Sequence, residues 1–166
     1  MIVKVRLVSL FVLVALLASV GTAAAMVLNF RTQLSGRAEV PVAVDTQAQG
    51  QAIFQLSKDV TEMHYKLIAA NIENLFMAHI HLAAADANGP IVVWLYGTPP
   101  AGPDEDLIPG RFDGVLAEGT ITAADLVGPL RGMTLQDLLT AMQDGRTYVN
   151  IHTIQHPPGE IRGQIH

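Results

Sequence analysis

Three features of this 166-residue sequence predict an all-β fold: an antiparallel β-sandwich with Greek-key connections and one short helix in a connection. Runs in which apolar and polar residues alternate recur along the chain, the period of a strand with one face buried. Gly, Pro, Asn and Asp gather between these runs, where turns need them. Only one stretch, residues 133–142, carries a helical period.

The first 25 residues stand apart. Lys4 and Arg6 precede an almost wholly apolar stretch, residues 7–20, and Ala23-Ala24-Ala25 places small residues before a cleavage point. This is the layout of a secretory signal peptide cut after Ala25. The apolar stretch is shorter than the ~20 residues a spanning helix needs. The expectation is therefore a signal peptide over 1–25 and one domain over 26–166, secreted or periplasmic, with no permanent membrane anchor after cleavage. Without Lys4 and Arg6, eight basic residues remain against fifteen acidic ones, a formal charge of −7. Nucleic acid and anionic membrane surfaces select basic patches, so neither is an expected partner. The chain has no Cys, which removes disulfides and thiol chemistry and leaves stability to the core.

Each element has its own signal. Leu28, Phe30, Thr32 and Leu34 alternate with polar residues up to Gly36, a first strand. Pro41 marks an irregular or edge segment, because proline cannot donate to a central ladder. Ala52, Phe54 and Leu56, then Met63, Tyr65, Leu67 and Ala69, give two strands joined as a hairpin through 58–61. Residues 71–75 read as a connector into a strand around Ala78-His79-Ile80-His81-Leu82. Asn88-Gly89-Pro90 signals a turn, and residues 91–96, all apolar β-formers, suit a strand covered on both faces. Residues 97–114 read as a long exposed loop, and 115–122 as a strand with Gly119 as a bulge. In the helix, Thr134 and Asp137 have capping-box spacing and Leu135, Leu138, Leu139 and Met142 form the apolar stripe. Gly145 is its stop signal. Strands over 148–153 and 160–165 complete the chain.

The chemistry-bearing residues are histidines. Side chains alternate faces along a strand, so His79 and His81 share a face, at Cα positions about 7 Å apart. Tyr148, Asn150 and His152 share one on a later strand. If the two strands are neighbours, three imidazoles converge into a site suited to copper or zinc, with His156 in the following turn as candidate fourth ligand. The alternative is that the same histidines hydrogen-bond to loop backbone and Asn150. His64 reads as solvated, His166 as a frayed end, Glu160 with Arg162 as a structural ion pair, Trp94 and Tyr96 as packing, and Asp104, Glu105 and Asp106 as a solvated acidic loop.

Four segments in this order resemble the CHRD domain family: Ala78-His79-Ile80-His81; the loop with Asn88-Gly89-Pro90-Ile91-Val92; residues 145–153; and Pro158-Gly159-Glu160-Ile161-Arg162-Gly163-Gln164-Ile165. The resemblance runs from about Leu28 to the C-terminus and implies an immunoglobulin-like or superoxide-dismutase-like β-sandwich of extracellular or envelope location, without an established catalytic activity. The His strands also resemble the copper site of copper,zinc superoxide dismutase. His79 and His81 match its His-x-His strand, and Gly145, Thr147 and His152 loosely match its Gly-x-Thr-x-x-x-His strand, with one extra residue before the His. The chain lacks that enzyme's His-rich zinc loop and its disulfide.

Two classes of function follow. The first is a non-enzymatic extracytoplasmic binding module for a protein or glycan, since the sequence has no Cys nucleophile, no Gly-x-Ser-x-Gly elbow and no phosphate-cradling loop. The second is a copper or zinc metalloprotein built on His79, His81 and His152, either a metal carrier or a redox centre.

Overall fold

The computed structural model describes residues 29–99 and 106–166. The segment read as a signal peptide, and Asp104 and Glu105, lie outside the described residues. The strands are β1 (Asn29–Ser35), β2 (Gln49–Leu56), β3 (Met63–Leu82), β4 (Ile91–Tyr96), β5 (Ile108–Ile121), β6 (Thr147–Thr153) and β7 (Ile161–Gln164), and the helix α1 (Leu135–Gln143) lies between β5 and β6.

All strand pairings are antiparallel. The order is β2-β1-β7-β6-β3-β4, and β2 also pairs with β3, so the sheet closes on itself as a barrel. The all-β class is as expected, but the strands belong to one closed sheet rather than to two separate packed ones. The reason lies in β3. Its 20 residues make it long enough to pair with β2 and β5 along its first half and with β6 and β4 along its second. One strand thereby belongs to both sides of the barrel.

The sequence alternation has its physical counterpart in burial. Phe30, Thr32 and Leu34 of β1 and Ala52, Phe54 and Leu56 of β2 are buried while their neighbours are more exposed. The apolar ones among them join Leu67, Ala78, Ile80, Val149, Ile151 and Ile161 in one core, and Leu138, Leu139 and Met142 of α1 belong to it too. The Asp137 carboxylate accepts from the amide and hydroxyl of Thr134, fixing the helix start.

Several expectations change. Residues 71–75 are not a connector: β3 runs through them, bent where Asn71 and Asn74 take left-handed backbone angles (φ 54° and 53°). Asn is one of the few residues that tolerate that conformation, and here Asn74 Oδ1 accepts from Gly110 N–H of the neighbouring β5. β5 starts at Ile108, so the end of the expected loop is strand. Ladder partners hide that in sequence: Asn71 N–H donates to Asp113, and Arg111 pairs with both Asn71 and Asp113. The β3–β5 ladder shifts register between Leu67 and Ile68, Ala69 and Ile72, and Glu73 and Leu75, not at Gly119, which lies against the Tyr65 ring. His166 is not frayed, since it exchanges both backbone hydrogen bonds with Arg31. Finally, β6 is buried along its whole length. Val149 and Ile151 face the apolar core, while Tyr148, Asn150 and His152 form a polar layer on the other face.

Candidate metal centre

The polar layer is built by register. β6 pairs with the second half of β3 so that His79 opposes Asn150, His81 opposes Tyr148 and Met77 opposes His152. Cross-strand partners point to the same face, so the two strands read as separate in sequence deliver His79, His81 and His152 to one place. One nitrogen from each lies within 4.8 Å of the others. All three residues are buried.

Hydrogen bonds fix two of the imidazole tautomers. A carbonyl only accepts, so His81 Nδ1–H donates to Gly89 C=O (2.8 Å) and His152 Nδ1–H donates to Pro157 C=O (2.8 Å). Each ring then presents an unprotonated Nε2 to the cluster. His152 Nε2 receives the Nδ1–H of His79 at 3.2 Å. His79 Nε2 and His81 Nε2 are buried with no hydrogen-bond partner among the described residues. An orphaned buried acceptor is unfavourable by about 1–3 kcal/mol, so two in one cluster are a strong chemical signal. Orienting a metal-binding ring by a carbonyl on its far nitrogen is also what metal sites require.

Electrostatics keep the cluster neutral. Burial, then the neighbouring His152 and His81, push His79 down to about 2. Burial pushes His152 down to about 4 against the pull of its bond to Pro157. His81 is lowered by burial, with Arg162 acting in the same direction. At neutral pH all three rings are therefore unprotonated lone-pair donors. Two nitrogens on one ion, at bonds of about 2.0–2.1 Å and a near-tetrahedral angle, sit about 3.3 Å apart. The 3.2 Å between His79 Nδ1 and His152 Nε2 matches that spacing, and a cation there would replace the shared hydrogen.

Around the rings the packing is aromatic. Trp94, opposite His79 on β4, meets it edge to face at 4.1 Å between centroids. Tyr148 stacks on His81 at 4.8 Å and 6°, and the Arg162 guanidinium lies 3.4 Å from the Tyr148 centroid. Arg162 also donates to Asn88 Oδ1 and to the carbonyls of Ala84 and Ala87, tying the 83–90 loop over the site. It makes no ion pair with Glu160, contrary to expectation. The Glu160 carboxylate instead accepts from the hydroxyls of Thr46 and Thr153. Asn150 does not bond to the histidines either. Its amide donates to Glu39 Oε1 (2.5 Å) and to Ile161 C=O. Gly159 makes that contact possible, since a Cβ there would fall 2.5 Å from the Asn150 amide nitrogen.

His156 is not part of the three-residue group, and its backbone N–H is taken by Thr153. His64 is exposed, as expected, and bonds to Thr120 Oγ1. Sequence reasoning missed the roles of Tyr148, Arg162 and Glu39. Tyr148 was legible as a same-face neighbour of His152, but Arg162 joins the layer only through the pairing of β7 with β6, and Glu39 only through Asn150, 111 residues away.

The fold and the polar layer define an antiparallel β-barrel module with a buried, neutral, three-imidazole cluster. The chain belongs to the CHRD domain family, which it matches over residues 30–165. No curated protein and no solved structure matches it.

Proposed function

We propose that this CHRD-domain protein is an exported, non-catalytic module that binds one copper or zinc ion through His79, His81 and His152. The observation that carries the reading is the convergence of three buried imidazoles: His79 Nδ1 and His152 Nε2 share one hydrogen at 3.2 Å, His81 Nε2 has no hydrogen-bond partner among the described residues, and main-chain carbonyls orient the His81 and His152 rings. Three imidazoles without carboxylates select borderline transition ions over Ca or Mg. Export is supported by the signal-peptide layout of residues 1–25 and by the occurrence of CHRD domains in extracellular or secreted proteins.

The test is metal titration of the chain from Met26, alongside His79→Ala and His152→Ala. One ion per chain in the parent, lost in both variants while the far-ultraviolet dichroism is retained, is the expected result. A parent that binds no ion, with variants that are merely less stable, would make the histidines a hydrogen-bonded scaffold. The module would then bind a protein or glycan through its surface.

A further inference from the structure

The three imidazoles leave open which ion they hold and what completes its shell. Two observations bear on this, and both rest on the three-histidine reading above. The first is register. Met77 lies two residues before His79 on β3 and directly opposite His152 on β6. Residues directly opposite in an antiparallel pair have Cβ atoms about 4.5–5.5 Å apart on the same face. Met77 is thus the fourth member of a row, Met77, His79 and His81 on one strand with His152 across from it. It is only partly buried, whereas the three histidines are buried, so it is the member of this row that solvent reaches, and its thioether side chain is flexible.

The second observation is charge. The three rings are neutral donors, and the group contains no carboxylate. The nearest fixed charge in the stack is positive: Arg162 lies one aromatic ring away from His81. Burying an ion costs free energy that grows with the square of its charge, so a divalent ion is about four times as costly as a monovalent one before ligation. Softness points the same way, because thioether donors select Cu(I) over Zn(II).

We infer that the centre is a Cu(I) site with Met77 as its fourth, thioether ligand, placed at the mouth through which the ion enters. Binding is simple ligation: the His79 proton moves from Nδ1 to Nε2, so the ring stays neutral while Nδ1 takes the ion, and no electron is transferred.

The experiment is anaerobic Cu(I) titration against a chromophoric Cu(I) chelator, with Zn(II) titrated in parallel, on the parent chain and on Met77→Leu. Leu conserves volume at a partly exposed position, so the fold is retained, and a thermal melt verifies it. The expected outcome is one Cu(I) per chain, with Zn(II) held at least about a hundredfold more weakly. Met77→Leu should lose Cu(I) affinity about tenfold to a hundredfold and leave Zn(II) affinity unchanged, a split that a merely structural role would not produce. Copper K-edge absorption should show one sulfur neighbour in the parent and none in the variant. A nitrogen-only shell in the parent, or Zn(II) bound as tightly as Cu(I), overturns this inference and leaves the three-histidine site standing. A parent that binds neither ion overturns both.

Discussion

Glu39 sits in the polar layer with its carboxyl bonded to Asn150, and burial raises it to about 7 even though Asn150 and Arg162 pull it down. Its folded value lies above the unfolded one, so it contributes stability below about pH 4.5 that is lost as pH rises through about 7. The histidines act in the opposite sense. The folded value of His152 is depressed to about 4, so its contribution is present above about 6.5 and lost as pH falls through about 4. The two groups offset each other across this window. Glu39→Gln keeps the hydrogen bond in a neutral form and should make the apoprotein lose stability more steeply on acidification from pH 7 to 4.5, by roughly 3 kcal/mol relative to the parent. Urea unfolding at several pH values measures it, and parallel profiles would show that Glu39 is ionised in the folded chain. None of this was legible from residue type, because the shifts arise from burial that sequence neighbours do not report.

At the scale of elements, β3 organises the molecule. Its two left-handed asparagines bend it so that one half serves β2 and β5 and the other half serves β6 and β4. Asn71 and Asn74 looked like the end of a strand because Asn is a turn residue; here the same tolerance of positive φ bends a strand without ending it. A β-branched residue pays heavily in that backbone region, so Asn74→Val should destabilise by roughly 1–3 kcal/mol, with Asn74→Gly much milder. Chemical denaturation of both variants checks this, and equal losses would assign the effect to the Asn74 side-chain bond to Gly110 instead. The helix was the better-read element. Its Thr134–Asp137 box and apolar stripe were visible because all their partners lie within a few residues.

For the whole molecule, closure of the barrel depends on β7 and the residues after it reaching β1, through Ser35 opposite Arg162 and the backbone pair of Arg31 with His166. Gly163 allows it. A Cβ at that position would lie 2.2 Å from the Gln33 carbonyl oxygen and 2.3 Å from Thr32 Oγ1. The first obstacle is main chain, which cannot turn aside as a side chain does. Gly163→Ala should therefore cost about 3 kcal/mol, by forcing β1 and β7 apart. A thermal melt near that of the parent would mean that the seam is soft. The seam also adjoins the three-histidine cluster, since Arg162 spans from it to the 83–90 loop, so opening it should loosen the cover over His81.

The sequence by itself determined the strand periods, the core faces, the capped helix and the shared face of His79 and His81, because each depends on residues close together along the chain. It also carried the family resemblance, whose motifs are local. Only the tertiary structure decided that the sheet closes as a barrel and that β6 is buried on both sides. It likewise decided that His152 meets the other histidines and that Arg162 and Glu39 serve a polar layer. These depend on strand register and on loops folding back over 70 to 110 residues. No local pattern encodes such contacts, since they form only when the whole apolar core forces the strands into one alignment.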